Sequence, residues 1–187
     1  MEDAERFLNK YRVPSARLQD WDYGWNAAYF VTLCTKNREH FFGEISDNRM
    51  HLSEIGILAK SFWNEIPVHF PFVEVDAFVV MPNHVHGIII IDKKESETPV
   101  ETRHCLVSTQ ARNAIGKSRF QNQGTNTLSS IIGSYKSAVT KQARKIHADF
   151  SWQARFHDHI IRDKNSFQHI SEYILHNPET WEKDQFY

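Results

Sequence analysis

Two histidines, His84 and His86, flank Val85 in the stretch Met81-Pro82-Asn83-His84-Val85-His86-Gly87. Met81-Pro82-Asn83 is turn chemistry, and the apolar run Ile88 to Ile91 after it is strand-like. Side chains alternate between the faces of a strand, so the two imidazoles share one face and Val85 points into packing on the other. Adjacent imidazoles can hold a divalent ion while leaving coordination positions open, which favours a catalytic over a structural site. The spacing alone is weak support. The chain has 11 histidines among its 187 residues, and a second pair of this kind occurs at His157-Asp158-His159. That second pair reads as phosphate contacts or a polar sheet edge, with metal ligation as the alternative.

A metal site of two ligands calls for a nucleophile on a neighbouring element, and Tyr135, next to Lys136, is the candidate. A phenol with its ordinary pKa of about 10 is a poor nucleophile. It needs nearby positive charge or a positioned base. Attack by such a tyrosine on a DNA phosphodiester yields a covalent phosphotyrosine and a free 3′-OH. The reverse step, with a new 3′-OH, rejoins strands without ATP. The same spacing also suits an amphipathic helix residue with its ring in the core and its hydroxyl at the rim.

The elements that must position these groups follow from periodicity. Ala28 to Thr35 is rich in β-formers and reads as a first strand. After Phe41 to Ile45 and a turn at Ser46-Asp47-Asn48, Ser53 caps a helix marked by Ile55, Leu58, Ala59, Phe62 and Ile66, which Pro67 stops. Val73 to Val80 and His84 to Asp92 form an antiparallel pair, and the second is apolar enough to be covered on both faces. Residues 93–126 have few apolar positions and no steady period, as expected of a surface insertion. A long helix follows, for which Thr127, Ser129 and Ser130 offer caps, with Leu128, Ile131, Ile132, Tyr135, Val139, Gln142 and Ile146 along one face. Phe156 to Arg162 is a last strand, and a terminal helix capped by Ser166 runs through Phe167, Ile170, Tyr173 and Ile174 to Asn177-Pro178. This order is the ferredoxin-like βαββαβ pattern of an α+β protein. It predicts an antiparallel four-stranded sheet with helices on one face plus a C-terminal helix. A single domain spans 1–187, with 1–27 as an N-terminal arm whose Trp21, Tyr23 and Trp25 either pack on the domain or stack on bases.

Net charge is −1, which conceals an asymmetry. From Thr102 to Ala148 there is no acid, while the same stretch holds Arg103, Arg112, Lys117, Arg119, Lys136, Lys141, Arg144 and Lys145. Such a block suits a polyanion, since phosphate contacts supply most nucleic-acid affinity. Lys136, Lys141, Arg144 and Lys145, on the helix bearing Tyr135, are the DNA-binding candidates. No apolar run approaches the roughly 18 residues of a membrane span. The N-terminus lacks a signal-peptide core, and Cys34 and Cys105 make no disulfide framework. A cytoplasmic protein without membrane partners is expected.

Four stretches, in order from about residue 25 onward, resemble the HUH-type single-tyrosine transposases. They are Tyr29 to Thr35 with Arg38, Met81 to Gly87, Ile131 to Lys141 and Trp152 to Arg162. The similarity is greatest to the REP-associated tyrosine transposase group, related to the insertion-sequence 200/605 type. The resemblance implies a ferredoxin-like fold, with Mg²⁺ or Mn²⁺ bound by His84 and His86. It implies a transposase that cleaves and rejoins single-stranded DNA, beside hairpin or REP-like elements, through a 5′-phosphotyrosine on Tyr135. It also implies a nucleoid-associated protein that works as a monomer or a homodimer. Relatives often place an amide-bearing third ligand one helical turn after the tyrosine. Here that position is Val139, which leaves Gln142, two turns on, as the replacement. A chain without a third ligand could be a catalytically weakened, structured-DNA-binding protein. Histidine-triad nucleotide hydrolases also use His-x-His strands but need a third histidine where Ile88 stands.

Overall fold

A computed structural model describes residue 18, residues 21–93 and residues 124–183. Most of the arm and of the 93–126 segment, with Arg103, Arg112, Lys117 and Arg119, lies outside the described residues.

β-Branched and aromatic runs form four strands, β1 (Ala27–Cys34), β4 (Val73–Val80), β5 (His84–Ile91) and β6 (His157–Ile161). They make one antiparallel sheet in the order β4-β5-β1-β6. Between β1 and β4 a short hairpin intervenes, β2 (Gly43–Ser46) with β3 (Arg49–Leu52). Its turn residues Asp47 and Asn48 both have positive φ, 51° and 58°, as a tight two-residue hairpin turn requires. The sequence reading anticipated the turn and missed β3, whose four residues are too few to establish a period.

Four α-helices complete the fold among the described residues, α1 (Glu54–Asn64), α2 (Ile66–His69), α3 (Leu128–Ile146) and α4 (Lys164–His176). The Ser53 hydroxyl accepts a hydrogen bond from Gly56 N, and Thr127 with Ser130 forms a reciprocal capping box. Pro67 does not stop the first helix. α1 ends at Asn64, and Pro67 sits in the first turn of α2, where its missing N–H has no helical partner to lose. Asp163, not Ser166, caps α4, since its carboxylate accepts from both Ser166 N and Ser166 Oγ.

The sheet is covered on both faces. Tyr29, Val31, Leu33, Val85, Ile89 and Ile91 face α1 and α3, where Trp63, Ile131, Ile132 and Val139 complete the main core. Gly87 makes this packing possible. A Cβ there would stand 2.3 Å from Trp63 Cζ2, and without it the indole lies on the sheet and stacks on Phe78, with centroids 4.6 Å apart. On the opposite face Ile88, Ile161 and Ile174 form a smaller core beneath α4. This is the expected α+β architecture, with the C-terminal helix across the sheet from α1 and α3. Trp21 and Tyr23 pack against the main core, and Trp21 Nε1 donates to Tyr29 Oη, whereas Trp25 stays half exposed. Among the described residues no helix is long and apolar enough to cross a membrane.

Candidate active site

The turn before β5 and the register of β5 on β1 fix the two imidazoles. Cys34 pairs with His84 and Thr32 with His86, so both rings stand on the face covered by α4. They are buried, with ring centroids 4.4 Å apart. His84 Nδ1 lies 2.8 Å from Asn83 Oδ1. A carboxamide oxygen only accepts, so Nδ1 carries the proton and Nε2 the lone pair. Burial, and after it the neighbouring His86 and Arg38, pull the His84 pKa down to about 2. The ring is therefore neutral, the form that ligates metals. His86 Nδ1 lies 2.8 Å from Thr32 Oγ1, which leaves its Nε2 edge toward α4. Each ring is thus oriented through Nδ1 by a neighbour, the outer-sphere support that metal-ligating histidines need.

The residue that meets this pair is Tyr173 of α4. Its hydroxyl lies 3.3 Å from His86 Nε2, its ring is 5.4 Å from the imidazole, and 41% of its surface is exposed. The helix reaches the second histidine two turns later. Trp181, in the 3₁₀ segment Asn177–Lys183, rests 5.9 Å from the His84 ring. Tyr173 and Asn177, one α-helical turn apart, share a face of α4. Tyr173 touches His86 and Trp181 touches His84, and the buried Asn177, the C-cap of α4, lies between these two contacts along the chain. The two imidazoles with the Asn177 carboxamide would make an N,N,O donor set that suits a divalent ion of Mn²⁺ type and leaves positions open. No group of three His, Cys, Asp or Glu residues able to hold a metal occurs among the described residues.

Tyr135 is not in this site. It belongs to α3, which packs on the Val85 face, so the whole sheet separates it from the histidines. It is 3% exposed, its hydroxyl donates to Ala59 O of α1 at 3.0 Å, and its ring meets Trp63 and Trp152 edge-on or tilted. Burial pushes its pKa far above the usual phenol value, the reverse of what a nucleophile needs. Gln142 falls with it, because it too is on α3, and Val139 is a core residue. The error was one of parity. Even-numbered residues of β5 face α4 and odd-numbered ones face α3, so a helix can cover the histidine strand without facing the histidines.

Lys136, Lys141 and Arg144 line a groove of about 630 Å³ between α3 and residues 151–154, on the α3 side of the sheet. Lys136 Nζ donates to Gln153 O beside the Trp152 ring, and Arg144 Nε donates to Phe150 O at 3.0 Å. Lys145 is exposed and outside the groove. Thr32 pairs with His157 as well as with His86, and Phe30 pairs with His159. His157 and His159 are therefore exposed on the same face as the buried pair, at the β6 edge. Two strand spacings of about 4.8 Å separate the backbones of His157 and His86, with Thr32 of β1 between them.

Tyr173 and Asn177 were the residues the sequence reading passed over, the first as one more apolar position on a helix face and the second as a helix stop. A signal was present. Tyr135 sits in a stripe with Leu128, Ile131, Ile132 and Val139, the pattern of a core residue. Tyr173 is followed one turn later by an amide, and Tyr135 is not.

No family model matches the chain. An uncharacterized protein of Haemophilus influenzae is 40% identical over 176 residues, covering 92% of each chain. A provisionally named REP-associated tyrosine transposase of the same organism is 22% identical over 157 residues, or 84% of this chain and 73% of its own. Among solved structures, a REP-associated tyrosine transposase bound to a REP hairpin superposes with a TM-score of 0.53 and 18% identity, over 89% of this chain and 73% of that one. The likeness to REP-associated tyrosine transposases read from the motifs thus extends to the fold.

Proposed function

We propose that this chain, which shares its fold with a REP-associated tyrosine transposase, is a metal-dependent strand transferase for single-stranded DNA, with Tyr173 as its nucleophile. The observation that carries the reading is the Tyr173 hydroxyl, half exposed and 3.3 Å from a histidine of an oriented pair. His84, His86 and Asn177 would hold Mg²⁺ or Mn²⁺, which when bound neutralises a phosphate and polarises its P–O bond. Tyr173 Oη attacks the phosphorus, the bond to the 3′-oxygen breaks, and a 5′-phosphotyrosine diester forms. The phenolic proton leaves to solvent, to which Tyr173 is open, and the 3′-oxygen takes a proton from water. A new 3′-OH attacking the phosphotyrosine reverses these changes and joins strands. α4 holds the Tyr173 ring over His86.

Hairpin DNA is the substrate class this reading favours, since the solved relative of like fold is bound to a REP hairpin. Lys136, Lys141, Arg144 and Lys145 would contact phosphates outside the cleavage site, and a chain so engaged would associate with the nucleoid as a monomer or homodimer. The motive for a catalytically weakened protein was Val139. Counted from Tyr173, the position one turn on is an amide, Asn177.

Circular single-stranded phage DNA, which carries native hairpins, tests this in the presence of Mn²⁺. Wild type and Tyr135→Phe should each leave a covalent protein–DNA adduct on a denaturing gel, and Tyr173→Phe none. An adduct with Tyr173→Phe removes that residue as nucleophile. Hairpin binding without any adduct from wild type leaves only the binding reading.

A further inference from the structure

The loop that follows β1 is tied to the turn that presents His84. Thr35 is fully buried, its N–H donates to Asn83 O at 2.9 Å, and its Oγ1 lies 2.7 Å from Glu39 O and 3.0 Å from Asn83 O. Asn83 in turn orients His84 through its side chain. From the other side Lys36 N donates to Ser151 O at 2.9 Å. Between these ties Asn37 and Arg38 both adopt left-handed backbone, with φ of 56° and 57°. Asparagine tolerates that region, but a long side chain such as arginine seldom enters it. The result is a guanidinium carried by a pinned loop at the His84 end of the site, exposed to solvent. Its charge is felt at His84, where it acts with burial and His86 to keep the imidazole neutral.

On the reading that Tyr173 cleaves DNA at this site, we infer that Arg38 grips a non-bridging oxygen of the phosphate under attack. The chemistry at the site asks for such a group. His84, His86, Asn177 and Tyr173 bring no positive side chain of their own, and the lysines of α3 are on the other face of the sheet. In-line attack builds negative charge on the phosphoryl oxygens. A guanidinium presents two parallel N–H donors to two of them and stays charged at every working pH. A lysine at the same point supplies charge without the fork. The loop at 36–38 thus supplies a phosphate grip, aimed by its attachment to Asn83.

The test uses the full chain and a synthetic hairpin oligonucleotide carrying the cleavage position mapped on phage DNA. One version has the ordinary phosphodiester there, and the other an uncharged methylphosphonate. On the phosphodiester, Arg38→Ala should form adduct about 100-fold more slowly than wild type, and Arg38→Lys should fall between, the scale of losing one preorganised transition-state donor. Arg38→Gly suits the left-handed backbone and should lose as much as Arg38→Ala, which separates charge from loop conformation. On the methylphosphonate, wild type and Arg38→Ala should differ by no more than about threefold, because a methyl group replaces the charged non-bridging oxygen that Arg38 grips. Equal losses on both substrates, or full rescue by Arg38→Gly, would mean that the loop and not the guanidinium matters, and would overturn the inference. So would an unchanged phosphodiester rate in Arg38→Ala. Absence of adduct from wild type would instead overturn the nucleophile reading, and this inference with it.

Discussion

The two faces of the sheet carry one tyrosine each on a packed helix, and they treat it in opposite ways. On the α3 face Tyr135 is sealed among Trp63, Trp152 and the aliphatic core, with its hydroxyl donating to a backbone carbonyl. On the α4 face Tyr173 stands at the edge of a small apolar cluster and meets an imidazole and solvent. Both are helical, each follows an isoleucine three residues earlier (Ile132 and Ile170), and Tyr135 has the more basic sequence around it. Local sequence therefore ranks them the wrong way. What separates them is the parity of β5. Val85, Ile89 and Ile91 spend one face on the main core, with Gly87 admitting Trp63, and the other face is left to His84 and His86. A reactive group has to be matched to a sheet face before it is matched to a partner helix.

The largest effect should come from emptying the α4 face. Replacing both His84 and His86 with Ala should lower Mn²⁺-dependent adduct formation by at least about 1000-fold, while most salt-sensitive hairpin affinity persists, since phosphate contacts lie elsewhere. Gel quantification of adduct together with binding isotherms at two salt concentrations separates these. Asn177→Ala should cost less, about 10- to 100-fold, and should be partly restored by raising Mn²⁺, as for loss of one supporting group at a metal. Cleavage unchanged in the double variant would take the metal out of the mechanism and leave the two faces chemically alike.

Much of the fold was legible because it is written in periods. The two long strands, the amphipathic α1 and α3, and the caps at Ser53 and Thr127 are all set by local spacing. The His84–His86 pair was legible for the same reason, since alternation in a strand needs no tertiary knowledge. The nucleophile was not, because which helix lands on which face depends on connections far apart in sequence. Even so, one turn of helix held a clue. A tyrosine followed by an amide four residues later occurs at Tyr173 and Asn177, and taking Asn177-Pro178 as a terminator hid it. Asn177 does end α4, but the chain continues in a 3₁₀ turn that returns Trp181 to His84. The basic block was legible as charge, yet only three of its cations share a groove among the described residues.

A smaller effect should come from crowding the sealed face. A methyl at position 87 meets Trp63 Cζ2 at 2.3 Å and Cη2 at 2.7 Å, both parts of a rigid ring held on Phe78. Gly87→Ala should therefore destabilise by about 1–3 kcal/mol, the range for overpacking a filled core. Chemical denaturation would read it as a lower midpoint at unchanged slope. Adduct formation by the folded fraction should stay near wild type, because the strain falls on the α3 side. A selective loss of cleavage at wild-type stability would mean that β5 transmits strain between its faces, and the two would then no longer be independent.

The smallest effect is the most telling for the comparison. Tyr135→Phe keeps the ring against Trp63 and Trp152 and removes only the hydroxyl that donates to Ala59 O. That carbonyl belongs to α1 and retains its helical setting, so the loss should be about 1 kcal/mol. For a chain of this length that is a fall in Tm of about 2–4 °C. Cleavage per folded molecule should not change. A tyrosine that can be stripped of its hydroxyl at a cost in stability alone is a structural one. If Tyr135→Phe instead abolished the adduct at full stability, α3 would have to leave the sheet during the reaction. The sealed face would then be a closed state of the active one.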